Sequence, residues 1–153
     1  MLKLSRFADY SIVLLTQLAA RPSSLMQAPD LALVTGLSVP TVAKTLKKLT
    51  QAGLVESRRG AKGGYALVRD AAEIQVTEII AAVDGPIALT DCTVDAGADC
   101  EIEALCPTRT NWRKINDAVI GALDGISLAD MTPQSAPFVP HRPYAPTTMA
   151  AGE

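Results

Sequence analysis

Residues 28–67 constrain the fold of this chain more than any other stretch, because their pattern indicates two helices, a turn between them and a hairpin. Pro29 suits the first turn of a short helix, where its missing N–H would have no partner anyway. Gly36 suits the left-handed turn that ends this helix, and Ser38 can cap the next one. The apolar residues of that second helix recur at intervals of four and three, at Val42, Leu46 and Leu49. Two short helices about a Gly-containing turn predict a helix-turn-helix.

The second helix is predicted to carry hydroxyls and cations on the side opposite its apolar stripe. These outward residues are Thr41, Lys44, Thr45, Lys47 and Lys48. Because such a face enters the major groove, Thr41, Lys44 and Thr45 are expected to contact bases. Lys47 and Lys48 are expected to hold phosphates. Ser38, at the start of the helix, completes this part of the predicted DNA-binding set.

A basic hairpin is predicted to follow the second helix. Residues 54–57 and 65–68 have the composition of short strands, and the glycines between them permit a tight turn. Arg58 or Arg59 at such a tip can enter a narrow minor groove, whose negative potential attracts arginine. Lys62 can hold a phosphate. The hairpin is interpreted as the wing of a winged helix; the alternative is a solvated basic turn beside an ordinary helical hairpin.

Charge is distributed asymmetrically along the 153-residue chain, although its net charge is only −2. Up to residue 70 there are ten Lys and Arg against four Asp and Glu, whereas the remainder has four against twelve. The basic first part matches a polyanion-binding surface, because neutralised phosphates supply most non-specific affinity for DNA. The sequence has neither a run of about 18 apolar residues nor a signal-peptide pattern, which predicts a cytoplasmic protein without a membrane partner.

Three further helices are predicted around this unit. Residues 5–20 are apolar on most sides, so this first helix expects cover on two fronts. Residues 76–84 form a short helix, and a long helix begins at Thr108. The long helix carries an a/d seam of Trp112, Ile115, Val119, Ala122 and Ile126. So narrow a stripe predicts pairing with a second copy of the chain; packing within its own domain is the alternative.

These elements predict a mainly α fold with a small β-wing, in which a winged helix-turn-helix precedes a long C-terminal dimerisation helix. The expected divisions are a DNA-binding domain, a short helix with the cysteine loop, and the dimerisation helix, at residues 1–72, 73–107 and 108–131. Residues 132–153 contain five prolines, which predicts a disordered tail. His141 lies in that tail, so it is not expected to bind a metal.

Three cysteines, Cys92, Cys100 and Cys106, lie within fifteen residues of one another between the short and long helices. Their odd number and the lack of an export signal argue against structural disulfides. Thiolates select soft metals, so three in one loop can converge on zinc or on an iron–sulfur cluster. Zinc is disfavoured because there is no CxxC pair and no neighbouring histidine, and a cluster would need a fourth ligand. Three unrelated thiols or a thiol redox switch are the alternative.

The order of these parts resembles the IscR/NsrR family of bacterial winged-helix regulators, especially the branch that controls the SUF iron–sulfur assembly system. The matching segments are LSRFADY at 4–10, GLVESRRGAKGGYAL at 53–67, CPTRTNW at 106–112, and the three cysteines. The resemblance covers about residues 1–131, and the Arg-Gly-x-x-Gly-Gly-Tyr wing is its most specific part. It implies a homodimer crossed by its long helices, a near-palindromic DNA operator, and a [2Fe–2S] or [4Fe–4S] cluster on the three cysteines.

Two departures from the family pattern affect the predicted site. Arg109 stands where one type of relative completes its cluster site with a histidine, and arginine cannot replace that ligand. Another type uses an aspartate on the first helix, donated by the opposite protomer; Asp9 occupies that position and is the candidate fourth ligand. Ala43 replaces an acidic residue with which some relatives read operators, so a different sequence preference is expected.

The residues and the resemblance together predict a homodimeric transcription regulator, not an enzyme, whose operator binding depends on an iron–sulfur cluster. One rival is a cytoplasmic redox enzyme or metal carrier that uses the three thiols, but the sequence shows neither a nucleophile–base pair nor a phosphate loop. The other rival is a cluster-free regulator that pairs with a metabolic enzyme through its acidic half.

Overall fold

A computed structural model describes residues 4–22, 24–60, 62–93 and 105–133, and within these ranges the chain is mainly helical with one two-stranded sheet. The helices are α1 Arg6–Ala19, α2 Ala28–Thr35, α3 Val39–Gln51, α4 Val76–Asp84, α5 Arg109–Asp124 and α6 Leu128–Met131. The strands are β1 Val55–Arg58 and β2 Gly64–Leu67. The predicted fold class is therefore confirmed. No described helix has the length and apolar character needed to cross a lipid bilayer.

The central element is α1, which packs against α2, α3, α4, α6 and β2. It begins at Ser5, whose side-chain oxygen accepts hydrogen bonds from the backbone N–H groups of Phe7 and Ala8, both at 3.1 Å. Capping of this kind satisfies donors that the first turn leaves unpaired. Its leucines Leu14, Leu15 and Leu18 are buried in the core. The cover on two fronts that its sequence predicts is thus supplied within one protomer by α3 and α4 together with α6.

The helix-turn-helix forms as predicted from its caps. Gly36 ends α2 in the left-handed region with φ 72°. The Ser38 side chain caps α3 by accepting from the Thr41 N–H at 3.3 Å. Val42, Leu46 and Leu49 are fully buried, which fixes the side of α3 that faces the core.

The wing is an antiparallel hairpin with Val55 opposite Leu67 and Arg58 opposite Gly64. Both strands lie within one residue of their predicted positions. Met26 adds a short third segment, exchanging backbone hydrogen bonds with Tyr65 at 3.0 and 2.8 Å. Glycine is required at Gly63, because a Cβ there would lie 2.1 Å from the Arg58 carbonyl oxygen. The bonds of Met26 therefore tether the wing to the segment that precedes α2.

The chain returns to the core after α5. The Val76 N–H donates to the Ile126 carbonyl at 3.0 Å, and the Leu128 N–H donates to the Ile74 carbonyl at 2.8 Å. Leu128 is fully buried there. The expectation that Ile126 belongs to the seam of the long helix is wrong, because α5 ends at Asp124 and Gly125 follows as its cap. The predicted domain divisions stay a prediction, but Leu128 belongs to the core of the N-terminal part.

Several predictions fall outside the residues that the structure describes. These are the placement of Cys100, the proline-rich tail beyond residue 133, and His141.

Candidate nucleic-acid interface and cysteine site

The exposed face of α3 begins at its N-terminal cap. Ser38, Lys44 and Lys47 are exposed, and Thr41 is half-buried. The hydroxyls of Ser38 and Thr41 lie 2.8 Å apart and are hydrogen-bonded to each other. The ammonium of Lys44 lies 4.8 Å from the centroid of the Phe7 ring, within the range of a cation–π contact. This surface offers hydroxyls and cations at the helix start, where a recognition helix contacts base edges.

Thr45 corrects the prediction for this face. Its side chain is fully buried, and its hydroxyl donates to the Thr41 carbonyl at 2.9 Å. Thr45 lies three residues after Val42 and four before Leu49, so helical geometry places it on the apolar stripe. The prediction that Thr45 faces bases is therefore wrong for this protomer, because its hydroxyl is turned into the helix.

Lys48 also departs from its predicted position. Its ammonium donates to the Val83 carbonyl at 2.9 Å and lies 5.5 Å from the Phe7 ring centroid. The side chain is half-buried against the end of α4, whereas its neighbour Lys47 is exposed. The outward placement predicted for both lysines therefore holds for Lys47 alone.

Val39 and Ala43 are also exposed on α3, although neither belongs to the predicted DNA-binding set. Small apolar side chains on a recognition helix can contact the methyl group of thymine. Helical spacing does not predict the exposure of Val39, because Val39 lies three residues before Val42 and seven before Leu46, on the line of the buried stripe. Ala43 lies at the edge of that stripe, so its exposure also has no clear signal in the spacing.

The wing presents its predicted cations to solvent. Arg58, Arg59 and Lys62 are all exposed. Arg58 forms an ion pair with Glu56 at 2.9 Å, although its side chain is 65% exposed. Surface pairs of this kind contribute little free energy, so Arg58 can exchange its partner for a phosphate at small cost.

Cys92 lies in a single 3-10 turn, Asp91–Thr93, that packs against α5. Its side chain is 7% exposed, and its Sγ lies 3.3 Å from the hydroxyl oxygen of Thr90. The Thr93 hydroxyl donates to the Thr90 carbonyl at 2.7 Å, which closes the turn. The first predicted ligand is thus held on a short, internally bonded loop.

Cys106 lies just before α5 and is half-buried. The hydroxyl of Thr108, 3.4 Å from the Cys106 sulfur, lowers the pKa of that thiol, and the N–H groups of Thr108 and Arg109 and the Arg109 charge add to the effect. A lowered pKa favours the thiolate, which is the form that binds metals. Among the described residues no three Cys, His, Asp or Glu side chains converge, and Cys100 lies outside them. By their donor chemistry alone, the thiolates of Cys92 and Cys106 fit a site for a soft metal.

Asp9 is exposed on α1, in a depression lined by Leu4, Ser5, Arg6, Ile12 and Met131. Neither Cys92 nor Cys106 lines this depression. Within one protomer the structure therefore does not bring Asp9 to the described cysteines, and its role as a ligand stays a prediction.

The seam of α5 is largely open in the protomer. Trp112 is 39% and Ile115 48% exposed, and Asn116 is the buried residue of this helix. Val119 instead faces a groove of about 420 Å³ that it lines with Leu123, Leu4 and residues 84–89. A long helix with large apolar side chains in solvent is typical of an element that another surface covers.

The chain has relatives among known protein families and characterised proteins. The Rrf2 family, described as iron-dependent transcriptional regulators, matches residues 4–134. The chain belongs to the Rrf2 family. It is 30% identical over 130 residues to protein aau3 of Rhizobium meliloti strain 1021, across 85% of this chain and 84% of that one. It is 32% identical over 131 residues to the HTH-type transcriptional regulator IscR of Vibrio atlanticus, across 85% and 75% of the two chains.

Solved structures of two kinds of regulator resemble the chain. CymR, the global cysteine regulator of B. subtilis, superposes with a TM-score of 0.67 at 32% identity, over 86% of this chain and 96% of that one. IscR of T. potens superposes with a TM-score of 0.65 at 30% identity, over 85% of each chain. Oxidised CymR of Staphylococcus aureus gives 0.66 at 28% identity, over 88% and 99%.

Family membership decides the broad function. Members of the Rrf2 family are transcriptional regulators that bind DNA, so this chain is a DNA-binding transcription regulator and not an enzyme. The resemblance seen in the sequence is thereby confirmed at the level of the family. Control of SUF genes, the cluster and the individual site residues stay predictions.

Proposed function

We propose that this Rrf2 regulator is a homodimer whose affinity for its operator depends on an iron–sulfur cluster. Cys92, Cys100 and Cys106 would hold the cluster, with Asp9 of the partner subunit as the fourth ligand. The observation that carries the proposal is the position of the described thiols, one on a turn against α5 and one at the start of α5. When bound, such a cluster supplies a centre sensitive to oxygen and to cellular iron and sulfide.

The residues of this chain prepare the site in two ways. The Thr108 hydroxyl and the N–H groups that follow it favour the thiolate of Cys106. Burial of the Cys92 side chain limits access of water to that thiol. A carboxylate as fourth ligand is harder than a thiolate and binds iron–sulfur centres more weakly. Such a ligand set suits a sensor, whose cluster must be lost when conditions change.

DNA binding is proposed to use the exposed start of α3 and the wing. Thr41 and Lys44, with Ser38, would contact bases, while Lys47 and Lys62 would hold phosphates and Arg58 or Arg59 would enter the minor groove. All except the half-buried Thr41 are exposed in the protomer. Val39 and Ala43 replace Thr45 as the remaining base-facing candidates.

The homodimer is proposed to form across α5. Trp112 and Ile115 leave a large apolar surface that the protomer does not cover. Pairing of two copies would bury it and place two recognition helices against the half-sites of a palindrome. Control of SUF genes is the specific regulatory role that the resemblance favours.

The proposal is tested by purifying the protein without oxygen and recording its visible absorption. We expect a charge-transfer spectrum that each of Cys92→Ala, Cys100→Ala and Cys106→Ala abolishes. His141→Ala, in the tail, is the matched control and should keep the spectrum. Operator binding is then measured before and after the cluster is removed, and an affinity that does not change would contradict the proposal.

A second function is favoured by the half-buried Cys106, whose lowered pKa also suits oxidation of the thiol. In that case the chain would be a cluster-free regulator that senses oxidants through cysteine. The anaerobic spectrum would be featureless, and mass spectrometry would show a disulfide or sulfenic acid that forms together with loss of operator binding.

A further inference from the structure

The last turn of α4 is hydrogen-bonded to the recognition helix α3 and to the start of α1. The Val83 carbonyl accepts the Lys48 ammonium from α3 at 2.9 Å. The carboxylate of Asp84 accepts from the hydroxyl of Ser5 at 2.6 Å, at the start of α1. The C-terminal end of a helix has carbonyls without intrahelical partners, and its partial negative charge favours a nearby cation. The Lys48 ammonium both pairs with such a carbonyl and supplies the positive charge.

The segment after α4 is bonded to α5 by one buried amide. Asn116 is 4% exposed; its side-chain oxygen accepts from the Leu89 N–H at 3.0 Å and its nitrogen donates to the Ile87 carbonyl at 3.5 Å. Thr90, which contacts the Cys92 sulfur, follows directly. A buried amide with partners on one short segment fixes that segment, because losing either bond leaves a polar group unpaired.

A further hydrogen bond joins the N-terminal end of α4 to the C-terminal end of α5. The Thr77 hydroxyl, in the first turn of α4, donates to the Asp124 carboxylate at 2.7 Å, in the last turn of α5. Since these ends are joined, we expect a displacement of residues 87–89 relative to α5 to be passed to the C-terminal end of α4, which ends at Asp84. Lys48 is attached there, at Val83.

We propose that the C-terminal end of α4 connects the cysteine turn to the recognition helix, with Asn116 and Lys48 as the two positioning residues. Asn116 holds the segment before Cys92 against α5, and Lys48 ties α3 to the carbonyl of Val83. This inference rests on the proposed function in one respect, since it names the route by which the cysteine site alters operator affinity. It also assigns Lys48 to the structure of the protomer and not to a phosphate.

The assignment of Lys48 is tested against Lys47, its exposed neighbour, by measuring operator affinity over a range of salt concentrations. Lys47→Met should lower the slope of log affinity against log salt by about one for each phosphate that the side chain no longer neutralises. Lys48→Met, which keeps the aliphatic stem, should leave the slope as in the wild type. An equal fall in slope for Lys48→Met would show that Lys48 binds a phosphate and would overturn the assignment.

The connection is tested by amide hydrogen exchange in the dimer stripped of any metal. Asn116→Leu should speed exchange at residues 48–51 of α3, and Lys48→Met should speed exchange of the Leu89 N–H, because coupling between two sites is reciprocal. Lys47→Met is the control and should change neither. Lys48→Met replaces a half-buried side chain and tests the connection even where Asn116→Leu lowers stability. Unchanged exchange at Leu89 in Lys48→Met would overturn the proposal.

The regulatory part is tested by the ratio of operator affinities with and without the cluster. Lys48→Met and Asn116→Leu should each move this ratio toward one by roughly 2- to 30-fold. The double variant should show no larger change than the stronger single one, since both act on one route, and Lys48→Arg should restore the ratio. Wild-type ratios in both single variants would overturn the route. A ratio of one in the wild type would instead contradict the proposed function, and hydrogen exchange would still decide the connection.

Discussion

The helix-turn-helix buries its stripe of Val42, Leu46 and Leu49 completely within one protomer, whereas α5 leaves Trp112 and Ile115 39% and 48% exposed. The helix-turn-helix is fully packed without a partner, because local caps and a continuous core hold α3 in place. The region of α5 and the cysteines is incomplete within one protomer in two respects. The apolar seam of α5 is not covered, and Asp9 does not meet the described cysteines. Under the proposed function, the surface that reads DNA is formed within each protomer, whereas the sensing site requires the dimer.

The largest effect is expected from a change in the apolar seam of α5. Ile115→Asp should weaken dimerisation by several kcal/mol, because a carboxylate would be buried without a partner. Lys114→Asp, an exposed neighbour, is the control and should leave dimerisation close to wild type. Sedimentation velocity measures the fraction of dimer. A wild-type dimer fraction in Ile115→Asp would show that the seam does not pair.

The next prediction concerns the buried core of the helix-turn-helix. Leu46→Ala should lower the free energy of unfolding by about 2–5 kcal/mol, since it leaves a cavity in a fully buried site. Ile115→Ala should instead lower the affinity of the dimer and change protomer stability much less. Denaturant unfolding at several protein concentrations separates the two effects. Equal, concentration-independent losses would remove the distinction between the two regions.

How far the sequence predicts each region follows from the range of the interactions concerned. Ser38 as a cap, Gly36 as a stop and the wing are recognisable because their partners lie within a few residues. Thr45 is misplaced by the prediction although its spacing from Val42 contains the answer. The bond from Lys48 to Val83 joins residues 35 positions apart, and that from Asn116 to Leu89 joins residues 27 apart, so neither has a local signature. The proposed role of Asp9 as a ligand depends on a second chain, which the sequence of one chain does not position.

The contribution of the wing to operator affinity is tested by removing one of its cations. Arg59→Ala should weaken operator binding by about 1–3 kcal/mol if the side chain makes a specific contact. Arg21→Ala, exposed at the end of α1, is the matched control. Fluorescence anisotropy with operator and scrambled DNA measures both affinity and specificity. Equal affinity of the wild type and Arg59→Ala for operator would remove Arg59 from the interface.

A smaller effect is expected at the start of α3. Ser38→Ala removes the cap and should lower the free energy of unfolding by about 1 kcal/mol. Ser57→Ala, an exposed serine in β1, provides the comparison for stability. Thermal unfolding without DNA isolates the role of the cap from any contact to bases. No difference between the two variants would show that the Ser38 hydroxyl does not stabilise the helix.

The smallest effect concerns acid. The hydrogen bond from Arg69 lowers the pKa of Glu78, so the pair adds stability above the ordinary glutamate pKa and loses it as the pH falls through the lowered value. When the pH is lowered from about 6 to about 3, the melting temperature of Glu78→Gln should therefore fall slightly less than that of the wild type. The effect is small because the two side chains are 38% and 39% exposed. A steeper acid loss in Glu78→Gln would reverse the assigned sign.

The most direct test of the central claim, that the sensor is completed by the partner, uses mixed dimers of Asp9→Ala and Cys100→Ala. Ligation across the dimer places both substitutions at one site and leaves the other intact. Native mass spectrometry of the mixed dimer after exposure to air should then find one cluster, as stable as in the wild type. Ligation within a protomer would damage both sites, and a mixed dimer that retains no air-stable cluster would contradict the account.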